Sequence, residues 1–134
     1  MRRSVLLAYQ WVTGISDLGA GTLLYLAPLL TMQMMGLHPP AATAPYLAYI
    51  GAFVTSVGLS CLYGVYLIAQ NADASRLETV WLLTAFARSA VAIYLIKSIV
   101  VGELETPWVS IALFDAACVL IQCVGLRMGW LRHD

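Results

Sequence analysis

Residues 45–70 read PYLAYIGAFVTSVGLSCLYGVYLIAQ and contain no charged side chain. A helix that crosses the hydrocarbon core of a bilayer needs about 20 mainly apolar residues, because each residue adds about 1.5 Å to its length. This stretch meets both requirements. It therefore predicts a transmembrane helix.

Three further stretches have the same character, at residues 5–30, 77–101 and 107–126. The connections between the four stretches are short, so consecutive helices should pack antiparallel. We expect an all-α polytopic membrane protein. Its single domain, residues 1–134, should form an antiparallel four-transmembrane-helix bundle.

The composition agrees with a membrane environment. Of the 134 residues, 61% are hydrophobic and 10% are charged, and the mean hydropathy is +0.83. A soluble domain carries about 25% charged residues, because its surface faces water. The formal net charge is zero, and no basic run is present, which argues against a nucleic-acid partner.

Proline and polar residues predict where the helices begin and end. Pro28 lacks a backbone donor and should bend or end the first helix, and residues 29–40, LLTMQMMGLHPP, should then form a short interfacial turn of helix. Ser75 and Glu78 have the spacing of a capping box that starts the third helix. Gln10 interrupts the apolar run near the amino terminus, so we interpret that run as a retained helix, with a cleaved signal peptide as the alternative.

The distribution of arginine predicts the orientation. Arginines lie at both ends of the chain and in the loop between the second and third stretches (Arg2, Arg3, Arg76, Arg127 and Arg132). The loops at 36–44 and 102–106 contain neither Lys nor Arg. Because positively charged loops stay on the cytoplasmic side, we expect both termini in the cytoplasm, with Trp81 and Trp130 near the inner interface and Trp108 near the outer one.

Three charged residues lie inside the predicted spans: Asp17, Arg88 and Asp115. Counting along each helix places all three about 16–18 Å from the inner end, near the midplane of a core about 30 Å thick. An isolated charge there costs about 2.5–3.5 kcal/mol, which favours pairing. We therefore expect the three to meet, with the guanidinium between two carboxylates that share a proton.

This Asp–Arg–Asp cluster has two interpretations. It can be structural and fix which helices pair, or it can be functional, since ionisable residues inside a membrane commonly mark functional sites. As catalytic residues, one aspartate would activate water, the arginine would position both acids, and the other aspartate would act as the acid. Epoxide opening or an isomerisation would suit this chemistry.

Other polar residues are candidates for binding a ligand. Gln122 shares a helical face with Asp115, and Tyr63 and Ser60 lie lower on the second helix, so a quinone or another lipid could dock there. The cysteines (Cys61, Cys118 and Cys123) and the two histidines lack metal-ligand spacing, and no nucleotide or haem motif is present. We expect no metal site, no disulfide and no motif for a cofactor.

Four segments resemble a known family. They are ISDLGAGTLLYLAPLL (15–30), MMGLHPP (34–40), YIGAFVTSVGLSCLYGVYL (49–67) and LFDAACVLIQ (113–122). They resemble the DoxX-like small four-helix bacterial membrane proteins, in which a glycine-rich first helix ends at AP and a GL-x-PP turn follows. The resemblance implies a bacterial cytoplasmic (inner) membrane. Named members are linked to quinone-coupled sulfur oxidation as partner subunits, but no catalytic signature of the family maps onto this chain.

These observations favour an accessory or scaffold subunit of a larger membrane complex, such as a redox- or quinone-linked one. The chain has almost no mass outside the membrane, and the small face Gly51, Thr55 and Gly58 suits contact with other membrane proteins or with a second copy. The alternative is a membrane-embedded enzyme, or a binder of a lipophilic molecule, that uses the buried Asp–Arg–Asp cluster.

Overall fold

The computed structural model describes residues 3–132 and is helical, with no strand in that range. The described part of the chain contains five α-helices: α1 Arg3–Leu26, α2 Pro28–Met34, α3 Ala44–Ala69, α4 Ala74–Val100 and α5 Val109–Arg127. One turn of 3₁₀ helix precedes α3 and another precedes α5. The all-helical prediction is confirmed, and the second, third and fourth predicted stretches match α3, α4 and α5 to within a few residues.

Within residues 3–132, three helical segments are long and apolar enough to cross a membrane: Ala41–Ala69, Ala74–Val100 and Thr106–Arg127. The helix α1 has sufficient length, with 24 residues, but it is not among the three. Gln10 and Asp17 lower its hydropathy, as do its glycines. The fourth transmembrane helix therefore stays a prediction.

The first predicted stretch is broken at Pro28, as expected from its missing amide. The helix α1 ends at Leu26, Ala27 takes a non-helical backbone with φ −140°, and Pro28 starts α2. Proline is tolerated at the first position of a helix because the amide there has no intrahelical partner. Gly36 follows α2 with φ +80°, a left-handed conformation that favours glycine. The short helix predicted for this segment is thus present.

The predicted capping box of α4 is wrong. Asp73 occupies the N-cap position and no side chain caps the helix, so Ser75 already lies in the first helical turn. Its carbonyl accepts a hydrogen bond from Thr79 Oγ1 at 2.9 Å. Glu78 accepts one from Arg132 Nε at 2.9 Å and ties the end of the described chain to α4. A shift of two residues in the helix start is enough to remove the capping role.

Contacts divide the chain into two compact units. Ser4–Tyr66 form the first unit, which contains α2 and nearly all of α1 and α3. The second unit contains Arg3 and the described residues from Leu67 onward, including α4 and α5.

In the first unit, α1 and α3 pack antiparallel with their backbones in contact. A Cβ atom added at Gly21 would lie 2.7 Å from Thr55 Oγ1 and 2.8 Å from the carbonyl oxygen of Gly51. One added at Gly58 would lie 2.9 Å from Leu18 Cα. Real Cβ atoms essentially never approach that closely, so only glycine allows this contact, which is typical of small-residue interfaces in membranes.

This contact changes the interpretation of the small-residue face of α3. The sequence suggests that Gly51 and Gly58 meet another protein, but both glycines are buried against α1 of the same chain. The expected external surface is therefore an internal one.

In the second unit, α4 and α5 form an antiparallel hairpin in which Trp81 packs over Gly125. A Cβ atom added at Gly125 would lie 3.2 Å from Cη2 of Trp81 and 2.9 Å from Cε3 of Trp130. The side chain of Trp81 is 0% exposed. Its ring therefore lies in the protein core, and its expected place near the inner interface stays a prediction.

Candidate functional site

A buried ion pair joins the two helices of the second unit. Arg88 Nη1 on α4 donates to Asp115 Oδ1 on α5 at 2.6 Å, and the two side chains are 3% and 12% exposed. The predicted meeting of these two residues is confirmed. A direct contact between ionised groups in the interior gives a strong, charge-assisted hydrogen bond, and it offsets the cost of placing each charge there.

An aromatic ring completes the environment of the arginine. The Cζ atom of Arg88 lies 5.4 Å from the ring centroid of Phe114, which is within the range of a cation–π interaction. Phe114 precedes Asp115 on α5, so one turn of helix supplies both the counter-ion and the aromatic face. Sequence reasoning did not single out Phe114, although its position beside Asp115 was a usable signal.

A second polar contact lies further along the same hairpin. Gln122 Nε2 donates to Thr84 Oγ1 at 2.7 Å, and Thr84 Oγ1 donates to the carbonyl oxygen of Val80 at 2.8 Å. Thr84 lies one helical turn from Arg88, and Gln122 lies two turns, about 10 Å, from Asp115. The interface of α4 and α5 therefore contains two polar layers.

One atom of this second layer is unsatisfied. Gln122 is 1% exposed, and its Oε1 has no hydrogen-bond partner within residues 3–132. Leaving a buried acceptor without a partner costs about 1–3 kcal/mol. The predicted candidate Gln122 is thus buried on the same face of α5 as Asp115 and Cys118, with an open acceptor.

Asp17 lies in the first unit and is buried. It shares the buried face of α1 with Gln10, Thr13 and Gly14. Its predicted meeting with Arg88 stays a prediction, because the two residues belong to different compact units.

Gln10 is a further buried polar residue, which sequence reasoning treated only as an interruption of an apolar run. Its side chain is 0% exposed, and neither amide atom has a hydrogen-bond partner in the part of the chain that the structure describes. Its spacing of seven residues from Asp17 places it on the same face of α1, a signal that could have identified it.

Tyr63 and Ser60 lie on the exposed face of α3. The ring of Tyr63 stacks on that of Tyr66 with 6.0 Å between centroids, and Ser60 Oγ donates to the carbonyl oxygen of Ser56 at 2.9 Å. Both candidates therefore face away from the glycine contact with α1.

The cysteines form no disulfide with one another; Cys61 and Cys118 are buried and Cys123 is exposed. Among residues 3–132, no group of three or more His, Cys, Asp or Glu side chains is placed to hold a metal ion.

Comparison of the chain with protein-family models, with curated proteins and with solved structures finds no match. The resemblance to DoxX-like proteins therefore rests on the four quoted segments alone.

Proposed function

We propose that the chain is a four-span protein of the bacterial inner membrane, with α1 as the additional span and both termini in the cytoplasm. The 24 residues of α1 extend about 36 Å, enough to cross a hydrocarbon core of about 30 Å. Its polar residues Gln10 and Asp17 are buried, whereas Val12, Ile15 and Leu26 are exposed. An apolar outer surface around a polar inner face suits a helix that contacts lipid on one side.

Within this architecture we propose that the protein acts as an accessory or scaffold subunit of a larger membrane complex, redox- or quinone-linked as in the family it resembles. The supporting observation is the outer face of α3. Exposed residues recur there at spacings of three and four along the helix: Tyr46, Tyr49, Phe53, Ser56, Ser60 and Tyr63. This spacing is that of a helix–helix seam.

The centre of this α3 face favours a protein partner. Ser56 and Ser60 are small and four residues apart, the spacing through which membrane helices approach closely. Their hydroxyls donate to carbonyl oxygens of α3 itself, Ser56 to Phe53 at 2.7 Å and Ser60 to Ser56 at 2.9 Å. The hydroxyls are therefore satisfied within α3, and two small side chains lie between the aromatic ones.

Native mass spectrometry from a mild detergent tests this proposal. The wild-type chain should appear with another membrane protein or as an oligomer, and Ser56→Phe should lose that association. Ala117→Phe is the matched control, because Ala117 is a small, exposed residue of another span, α5, and the association should persist. A wild-type chain that appears only as a lone monomer would contradict the proposal.

A second candidate function is favoured by the buried polar layers of α4 and α5. A membrane-embedded enzyme, or a binder of a lipophilic molecule such as a quinone or another lipid, would use Arg88, Asp115 and Gln122 to hold the polar part of its ligand. As an enzyme it would add Asp17 as the second carboxylate for epoxide opening or isomerisation. Mass spectrometry of organic extracts tests this function: a molecule that co-purifies with the wild-type chain should be absent from Asp115→Asn.

A further inference from the structure

The hydrogen bonds around Thr84 fix the orientation of the Gln122 amide. A threonine hydroxyl has one hydrogen, and Thr84 gives it to the carbonyl oxygen of Val80 at 2.8 Å. In this arrangement Thr84 Oγ1 accepts from Gln122, whose amide directs Nε2 toward Thr84 at 2.7 Å. The oxygen Oε1 is then directed elsewhere, and it is buried without a donor in the described chain.

The fixed orientation determines what can satisfy this oxygen. Oε1 has two lone pairs and no hydrogen, so only a donor can bond to it. A ligand carbonyl or ether oxygen would place its own lone pairs against those of Oε1.

The residues around the Gln122 amide determine how polar the rest of the ligand can be. The buried residues next along these two faces are Trp81, Ala85 and Cys118, and both helices belong to segments apolar enough to span a membrane. A molecule that reaches the amide must therefore be soluble in lipid.

We propose that Gln122 binds a lipophilic molecule that carries a hydroxyl group, and that the hydroxyl donates its hydrogen to Oε1. This inference rests on the second candidate function and adds the chemistry of the ligand. Oε1 is covered by protein in this structure, so the ligand enters by displacing side chains and replaces a buried unsatisfied acceptor with a hydrogen bond.

Two probes that differ by methylation of the donor oxygen test the proposal: para-hexylphenol and its methyl ether, para-hexylanisole. A ligand that binds the folded state raises the Tm of the full-length protein in detergent by an amount set by the ratio of the ligand concentration to its Kd. One added hydrogen bond is worth about a tenfold change in affinity. The phenol should therefore raise the Tm at about one tenth of the concentration that the ether requires.

Variants test whether the preference for the phenol over the ether depends on the amide of Gln122. Gln122→Met keeps a side chain of similar length without the acceptor, and it should make the two probes equivalent. Thr84→Val keeps the amide but releases its orientation, and it should reduce the preference even if the methionine variant does not fold. Gln33→Met is the matched control; Gln33 is exposed on α2, and the wild-type preference should remain.

The outcomes separate this inference from the function on which it rests. If both probes raise the Tm of the wild-type protein at equal concentrations, a lipophilic molecule binds but the donor is not recognised, and the inference is wrong. If the preference persists in Gln122→Met, the hydroxyl is bound elsewhere, and the inference is also wrong. If neither probe changes the Tm, the binding function fails as well.

Discussion

The glycine contact between α1 and α3 makes a sharp prediction for Gly21→Ala. The added methyl carbon would lie 2.7 Å from Thr55 Oγ1 and 2.8 Å from the carbonyl oxygen of Gly51. Ordinary contact begins at 3.4 Å, and the backbone nitrogen of Thr55 would lie closer to the added carbon than either of these atoms, so the substitution requires a separation of more than about 0.7 Å. Neither neighbour can yield easily, because one is backbone and the other is bonded to it at 2.9 Å.

The helices themselves must therefore move apart, and overpacking of this kind costs about 1–3 kcal/mol. Gly19→Ala is the matched control. It makes the same chemical change on the same helix, but an added Cβ there meets nothing within 4 Å. Alanine is favoured over glycine within a helix by up to about 1 kcal/mol, so this variant should be as stable as the wild type or more stable.

The free energy of unfolding can be measured by titrating the protein from mild detergent into sodium dodecyl sulfate while following its far-ultraviolet circular dichroism. We expect Gly21→Ala to unfold at a clearly lower fraction of the denaturing detergent than Gly19→Ala. Equal midpoints for the two variants would show that α1 and α3 do not meet through this glycine, and the packing described here would be refuted.

Three other predictions concern the ion pair, the topology and the hairpin packing. Arg88→Ala should cost about 3–5 kcal/mol in the same unfolding assay because it leaves Asp115 buried and unpaired; the double variant Arg88→Met with Asp115→Leu should recover part of that loss, and a double variant no better than the single one would exclude a structural role for the pair. In a background without the native cysteines, His38→Cys and Glu103→Cys should react with a membrane-impermeant maleimide added to intact cells; reaction only after the cells are opened would reverse the proposed orientation. Gly125→Ala should displace the buried indole of α4 and shift the tryptophan emission maximum, and an unchanged spectrum would argue against the close packing of α4 and α5.

Hydropathy predicted the helices well because a chain in lipid has few alternatives. Backbone groups in lipid must be satisfied within the segment itself, so a long apolar stretch is helical. The break at Pro28 was also predictable. Proline lacks a backbone N–H, and the loss of that hydrogen-bond donor affects only the helix that contains it. The N-cap of α4 was not predictable, because a shift of two residues moved Ser75 from the cap into the first turn at little energetic cost.

Long-range pairing was predictable only where an energetic penalty was large. Two charges at one depth in lipid have few alternatives to pairing, and Arg88 with Asp115 followed from that reasoning. Periodicity also located the close-packing face of α3 at Gly51 and Gly58. It could not say which helix covers that face, because α1 of the same chain and a helix of another protein would require the same small residues.

The partner of Gln122 was missed for a different reason. Threonine in a helix usually bonds to its own backbone, as Thr84 does with Val80, and nothing in the sequence marks the residue as an acceptor for a neighbouring helix. The unsatisfied oxygen of Gln122 depends on that arrangement. It could be identified only from coordinates.

The contact between α1 and α3 also has a consequence for how the chain is made. With Gln10 and Asp17 on one face, α1 is a poor candidate for release into lipid as soon as it leaves the ribosome. In the proposed four-span arrangement, its close contact with Gly51 and Gly58 forms only after α3 has been synthesised. Although α1 precedes α3 in the chain, it would then settle in the bilayer only once α3 is present, and variants at these two glycines would reduce the amount of inserted protein as well as its stability.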